Sequence, residues 1–142
     1  MTRNYFDQEL QELQVSLLKM SSMVEEILGN SVKALKAQDA ELAQKVIDDD
    51  DEIDIMEYVV EDKCIKLIAL QSPLARDLRV IATALKIITD LERIADYAVD
   101  IAKITIKSLL DSSDALRIDK KDSGYVSHTH RRDIYFHRIT HA

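Results

Sequence analysis

The chain has 142 residues, enough for one domain with a sizeable core, and is 46% hydrophobic and 32% charged. Two glycines and one proline argue against a fold of many short strands and for long helices. The formal charge of −7 argues against a nucleic-acid partner, since phosphate backbones need Lys and Arg to displace their counterions.

The charge is uneven: residues 1–110 hold 21 acids against 13 Lys and Arg, and residues 111–142 hold five acids and six bases. An acidic body suits cations or basic protein surfaces. Cys64 is the sole cysteine, so no intrachain disulfide forms, which fits a reducing compartment. Met1–Leu10 is polar, unlike a signal peptide, and no apolar run approaches a bilayer span. The expected location is the cytoplasm, peripheral to a membrane at most.

In the first segment Phe6, Leu10, Leu13, Leu17, Met20, Val24, Ile27, Ser31 and Ala34 recur in steps of four and three, the seam of a long helix. Thr2 or Asn4 is placed to cap it, and Gly29 costs it roughly 1 kcal/mol relative to Ala. Asp39 is placed to N-cap the second helix. Its stripe is Leu42, Val46, Asp49, Ile53, Met56, Val60, Lys63, Leu67 and Leu70, apolar except at Asp49 and Lys63.

Ser72-Pro73 predicts a break, with Ser72 as cap and Pro73 at the first helical position. The third stripe is Leu74, Leu78, Ile81, Leu85, Ile88, Glu92, Ala95, Val99, Ala102, Ile106 and Leu109, with Glu92 its only polar member. Short connections imply antiparallel neighbours. The expected fold is all-α: an elongated antiparallel three-helix bundle over residues 1–110. Asp111-Ser112-Ser113 reads as a loop, and residues 111–142 as an irregular or disordered tail.

Two acidic constellations carry the candidate chemistry. Residues 48–62 contain nine acids and no base, including Asp50 and Asp54. On the third helix Glu92, Asp96 and Asp100 lie four apart and so share a face, with Asp90 nearby. Like charges at that spacing destabilise a helix by about 0.2–0.5 kcal/mol per pair. A carboxylate at a seam position needs an arginine, a metal or water. Antiparallel packing can unite the two groups into a carboxylate cage for a hard or borderline cation.

Each feature also has a plainer reading. The acidic run serves equally as a solvated helix face, and Glu92 as an ion-pair partner of Arg93 or Arg76. Arg76 and Arg79 suit an anion or exposed salt bridges, and Asp77 suits the positive helix N-terminus. His128, His130, His137 and His141 form a sparse metal tract without a supporting framework. Cys64 reads as a small core residue. No phosphate loop, nucleophile elbow or Cys-x-x-Cys is present, so an enzyme is not expected. Residues 1–110 hold no His, which removes the Glu-x-x-His pairs of di-iron bundles.

Several blocks resemble the PhoU family. Gln71-Ser72-Pro73-Leu74-Ala75-Arg76-Asp77-Leu78-Arg79 resembles its Pro-bearing Asp-Leu-Arg stretch. Asp90-Leu91-Glu92-Arg93-Ile94-Ala95-Asp96 resembles its Asp-Leu-Glu-Arg-Ile-Gly-Asp signature, with Ala95 where Gly is common. Phe6-Asp7-x-Glu9-Leu10 and Asp50-Asp51-Glu52-Ile53-Asp54 resemble its patterns on the first two helices. The resemblance covers about residues 3–110.

The resemblance implies one of two tandem three-helix repeats. It also implies negative regulation of phosphate uptake and phosphate-starvation signalling through the phosphate ABC transporter ATPase and a phosphate-sensing histidine kinase. Iron or zinc clusters are implied at Glu92-x-x-x-Asp96, with Asp50-x-x-x-Asp54 a second match and Asp100 beside them. The tail does not read as the second repeat, and its His/Arg-rich change of composition over about residues 120–142 leads to the expectation of a truncation or frameshift product. A homodimer is expected to pair two bundles. The alternatives are a carboxylate-based iron- or zinc-binding helical protein and an inactive fragment.

Overall fold

The computed structural model describes residues 3–70 and 73–121, with side chains described for 4–69 and 73–114. Three helices follow in order: α1 (Arg3–Ala37), α2 (Ala40–Leu70) and α3 (Ala75–Lys121). No strand occurs among the described residues. The chain divides into two units, Met1–Leu109 and Leu110–Ala142, and the first contains α1, α2 and the greater part of α3.

The seam of α1 is buried where its spacing predicts, at Phe6, Leu13, Met20, Val24, Ile27, Ser31 and Ala34. The buried hydroxyls are satisfied locally: Ser31 Oγ donates to the Leu28 carbonyl (2.7 Å) and Thr105 Oγ1 to the Ile101 carbonyl (2.9 Å). On α2 the core face is Ala43, Val46, Ile53, Val60, Cys64 and Leu67. Cys64 is fully buried, and burial pushes its thiol up to about 11, as suits an inert core residue.

The link between α1 and α2 is two residues long. The Asp39 N–H donates to the Ala34 carbonyl (3.0 Å) and the Gln38 N–H to the Leu35 carbonyl (3.4 Å), the bond pair of a Schellman motif. Gln38 therefore adopts a positive φ of 53°, a conformation usually given to Gly. Its own Nε2 donates to the Leu35 carbonyl (2.8 Å) and offsets part of that cost. Asp39 then caps α2, as expected: its Oδ1 accepts from the Leu42 N–H (3.0 Å).

A reversal in so few residues forces α2 to run back along α1. Lys63 records the register. Its ammonium donates to Ser16 Oγ (3.3 Å) and lies 3.9 Å from a Glu12 carboxylate oxygen. Ser16 Oγ in turn donates to the Glu12 carbonyl (2.9 Å). The polar interruption of the α2 stripe at Lys63 thus has a partner on α1. The interruption at Asp49 is instead an intrahelical ion pair with Lys45 near the surface.

The start of α3 departs from expectation. Pro73 lies outside the helix, which begins at Ala75, and Ser72 lies outside the described residues. Leu74 is the N-cap residue. Its N–H donates to Asp77 Oδ2 (3.0 Å), while the Asp77 N–H donates to the Leu74 carbonyl (2.9 Å). This is the reach-back half of a capping box, with Asp in the place of Glu. Asp77 is 3% exposed, whereas the expected seam residues Leu74 and Leu78 are 55% and 42% exposed. In the first turn, satisfying an orphan backbone donor takes the inward position that the apolar pattern assigned to leucine.

Further along, the inner face of α3 is Ile81, Ala84, Ile88, Ala95, Ala98, Val99, Ala102, Thr105 and Ile106. Four of those nine residues are alanines, a small-residue face of the kind that permits close helix packing. The end of α3 is also a correction. Asp111-Ser112-Ser113 is helical rather than a loop, since α3 continues to Lys121. No Gly or Pro interrupts it there, and Ser113 Oγ donates to the Leu110 carbonyl (2.7 Å). The histidines at 128, 130, 137 and 141, and Thr2 with its suggested cap, lie outside the described residues. No helix among the described residues is long and apolar enough to cross a membrane.

Candidate functional site

The helical reversal between α2 and α3 sets the acids of one against the acids of the other. On α2, Asp50, Asp54 and Glu57 follow one another by four and three residues and form one ridge. On α3, Glu92 and Asp96 form the facing ridge. Their charges act across the interface: Asp96 on Asp50 and Glu57, and Asp54 and Glu57 on Glu92. The two acidic constellations are therefore one carboxylate rim.

Three members are perturbed, each for a definite reason. The Glu92 carboxyl is raised to about 7, first by its hydrogen bond to Asp96, then by burial and by the charges of Asp96, Glu57 and Asp54. A hydrogen bond between two carboxyl groups needs a proton, so the closeness of Asp96 favours the protonated form of Glu92. Asp50 is raised to about 6, chiefly by burial, then by the charges of Asp54, Asp96 and Asp51, with Lys103 opposing. Glu57 is raised by burial and then by Asp54, Glu61 and Asp96. Asp50 Oδ1 is buried without a hydrogen-bond partner.

The sequence-predicted residues fare unequally. Asp50, Asp54, Glu92 and Asp96 meet at the rim. Asp100 is exposed, and its charge is not among those acting on Asp50 or Glu92. Two further rim members, Glu57 and Lys103, have no place in the four-residue spacing that marks the others. Stepping by three from Asp54 finds Glu57, whereas Lys103 requires the α2–α3 register. Arg76, a sequence-level partner for Glu92, lies with its Nε 3.8 Å from Asp77 instead.

The donor chemistry suits the iron or zinc implied by the family resemblance only in part. Carboxylate oxygens are acceptable ligands to either metal, and Asp50 Oδ1 is an unused one. Yet among the described residues no three His, Cys, Asp or Glu are arranged to hold one ion. As placed, the rim is a cluster of crowded carboxyls, and closing it on an ion requires side-chain rotation.

Fold and rim define a class: an all-α three-helix protein whose second and third helices share an acidic edge. The chain belongs to the PhoU family. The family model described as PhoU domain matches residues 17–105. A phosphate-specific transport system accessory protein PhoU homolog of Clostridium acetobutylicum is 50% identical over 104 residues, covering 72% of this chain and 48% of that protein. The accessory protein PhoU of Escherichia coli K12 is 31% identical over 119 residues, covering 84% of this chain and 49% of that protein. The crystal structure of PhoU from Pseudomonas aeruginosa superposes with a TM-score of 0.70 at 38% identity, over 72% of this chain and 49% of that one. The chain spans about half the length of the curated relatives it matches.

The raised carboxyls make stability depend on pH with a definite sign. Both Glu92 and Asp50 bind protons more tightly folded than unfolded, so their contribution is lost as pH rises from the unfolded values toward about 7 and about 6. The melting temperature should fall between pH 5 and pH 8, and less steeply in Glu92→Gln and Asp50→Asn, as read by circular dichroism; partial exposure of Glu92 limits the size of its share.

Proposed function

We propose that this chain is an accessory regulator of phosphate uptake. It restrains phosphate transport and phosphate-starvation signalling by binding the phosphate ABC transporter ATPase and a phosphate-sensing histidine kinase. The observation that carries this reading is the identity with accessory proteins of phosphate-specific transport, which spans all three helices. The lack of enzyme motifs in the sequence supports an adaptor that acts by contact rather than catalysis. The proposed site of action is the cytoplasm, at the membrane surface at most. In a strain lacking the full-length regulator, the chain should restore repression of phosphate-uptake genes in high phosphate. Derepression equal to an empty vector, with the protein present, would show the reading to be wrong.

A second reading, favoured by the unpartnered oxygen of Asp50 and by the excess of acids at the rim, is that iron or zinc neutralises these carboxylates. Glu92, Asp96, Asp50 and Asp54 would supply the ligands, and two copies would pair as a homodimer. Val80, Ile87 and Ile94, exposed and seven residues apart along α3, support that pairing. The purified chain should contain metal that a Glu92→Ala/Asp96→Ala variant lacks, and should sediment as a dimer. Equal metal content in both proteins, or a monomer, would remove the corresponding part.

A further inference from the structure

The face of α2 directed away from the core carries a cluster of exposed apolar side chains. Ile55, Tyr58 and Val59 are 65%, 69% and 39% exposed and lie within little more than one turn. They stand opposite the buried Ile53, Val60 and Cys64. Leaving an isoleucine and a tyrosine side by side in water gains nothing for the fold, and such patches mark interaction sites.

The surrounding charges say what covers them. Asp48 and Asp51 continue the same face toward the start of α2, and Asp62 continues it toward the end, at steps of three and four. Asp62 is paired with Lys66. Asp48 and Asp51 make no ion pair among the described residues. An apolar centre beside uncompensated acids is complementary to a helix presenting one apolar stripe edged by Lys or Arg. The same sign of charge repels nucleic acid and anionic lipid.

We propose that the outer face of α2, centred on Ile55, Tyr58 and Val59, is the docking surface for a basic amphipathic helix of a partner protein. The proposal rests on the adaptor reading above and adds the face that the adaptor uses. Tyr58 is the anchor: a large side chain with a polar tip, of the kind enriched at interface centres. Asp48 and Asp51 orient the incoming helix and speed its encounter.

The test uses the full chain and two probes, a synthetic Leu/Lys amphipathic helical peptide and the purified transporter ATPase subunit, each followed by fluorescence anisotropy. Ile55→Ser/Tyr58→Ser should weaken peptide binding about tenfold or more. Val15→Ser/Leu18→Ser, which removes equally exposed apolar groups from α1, should leave it unchanged. Asp48→Asn/Asp51→Asn should weaken binding chiefly at low salt. Equal loss in the α1 and α2 variants, or no peptide binding by the wild type, overturns the proposal. So does a shift of self-association confined to the α2 variant, which would make a second copy the occupant. The ATPase arm separates the two readings. Binding of the subunit that survives the α2 change sinks the face and leaves the adaptor; absence of subunit binding beside specific peptide binding does the reverse.

Discussion

The arrangement turns on like charges held together. Across the α2–α3 edge Asp96 acts on Asp50 and Glu57, and Asp54 and Glu57 act on Glu92. Such an edge is disfavoured unless something stronger fixes the helices, and the something is the core. Ile53 and Val60 of α2 and Ile81 and Ile88 of α3 are buried, and full burial of each is worth about 1.5–3 kcal/mol. The alanines at positions 84, 95, 98 and 102 are buried on the same inner face of α3. The raised carboxyl of Glu92 keeps part of that charge off the edge below about pH 7.

The remainder of the bundle is built to hold that register. The two-residue link at Gln38 and Asp39 satisfies the end of α1 and the start of α2 with one Schellman pair and one cap. Lys63 reaches Ser16 and Glu12 across the α1–α2 interface, so a slipped pairing would leave a half-buried ammonium without those partners. Asp77 fixes where α3 begins. Stability is thus concentrated in the core and at the helix ends, and the α2–α3 edge carries groups that a purely structural helix would not need.

The helices are legible in the sequence because their period is strict. The α1 seam and the positions of Ile53, Val60, Ile81, Ala95 and Ala102 follow from steps of four and three. Asp39 is legible as a cap because its side chain needs only the local backbone. The departures have separate causes. Leu74 and Leu78 fit the period but yield the inward place to Asp77, whose capping bond is not an apolar signal. Asp111–Ser113 carries turn-forming residues but no breaker, and α3 continues through it. Of the rim, the spacing within each helix is readable, while the union of two helices, and the parts of Glu57 and Lys103, depend on register.

Glu92 and Asp50 sit in one crowded carboxylate rim that withholds their ionisation. Carboxyl-carbon NMR titration of the full chain reads both groups directly. The expected midpoints are about 7 for Glu92 and about 6 for Asp50. Midpoints for both at the ordinary values of about 4 would contradict the burial and crowding of the rim carboxyls.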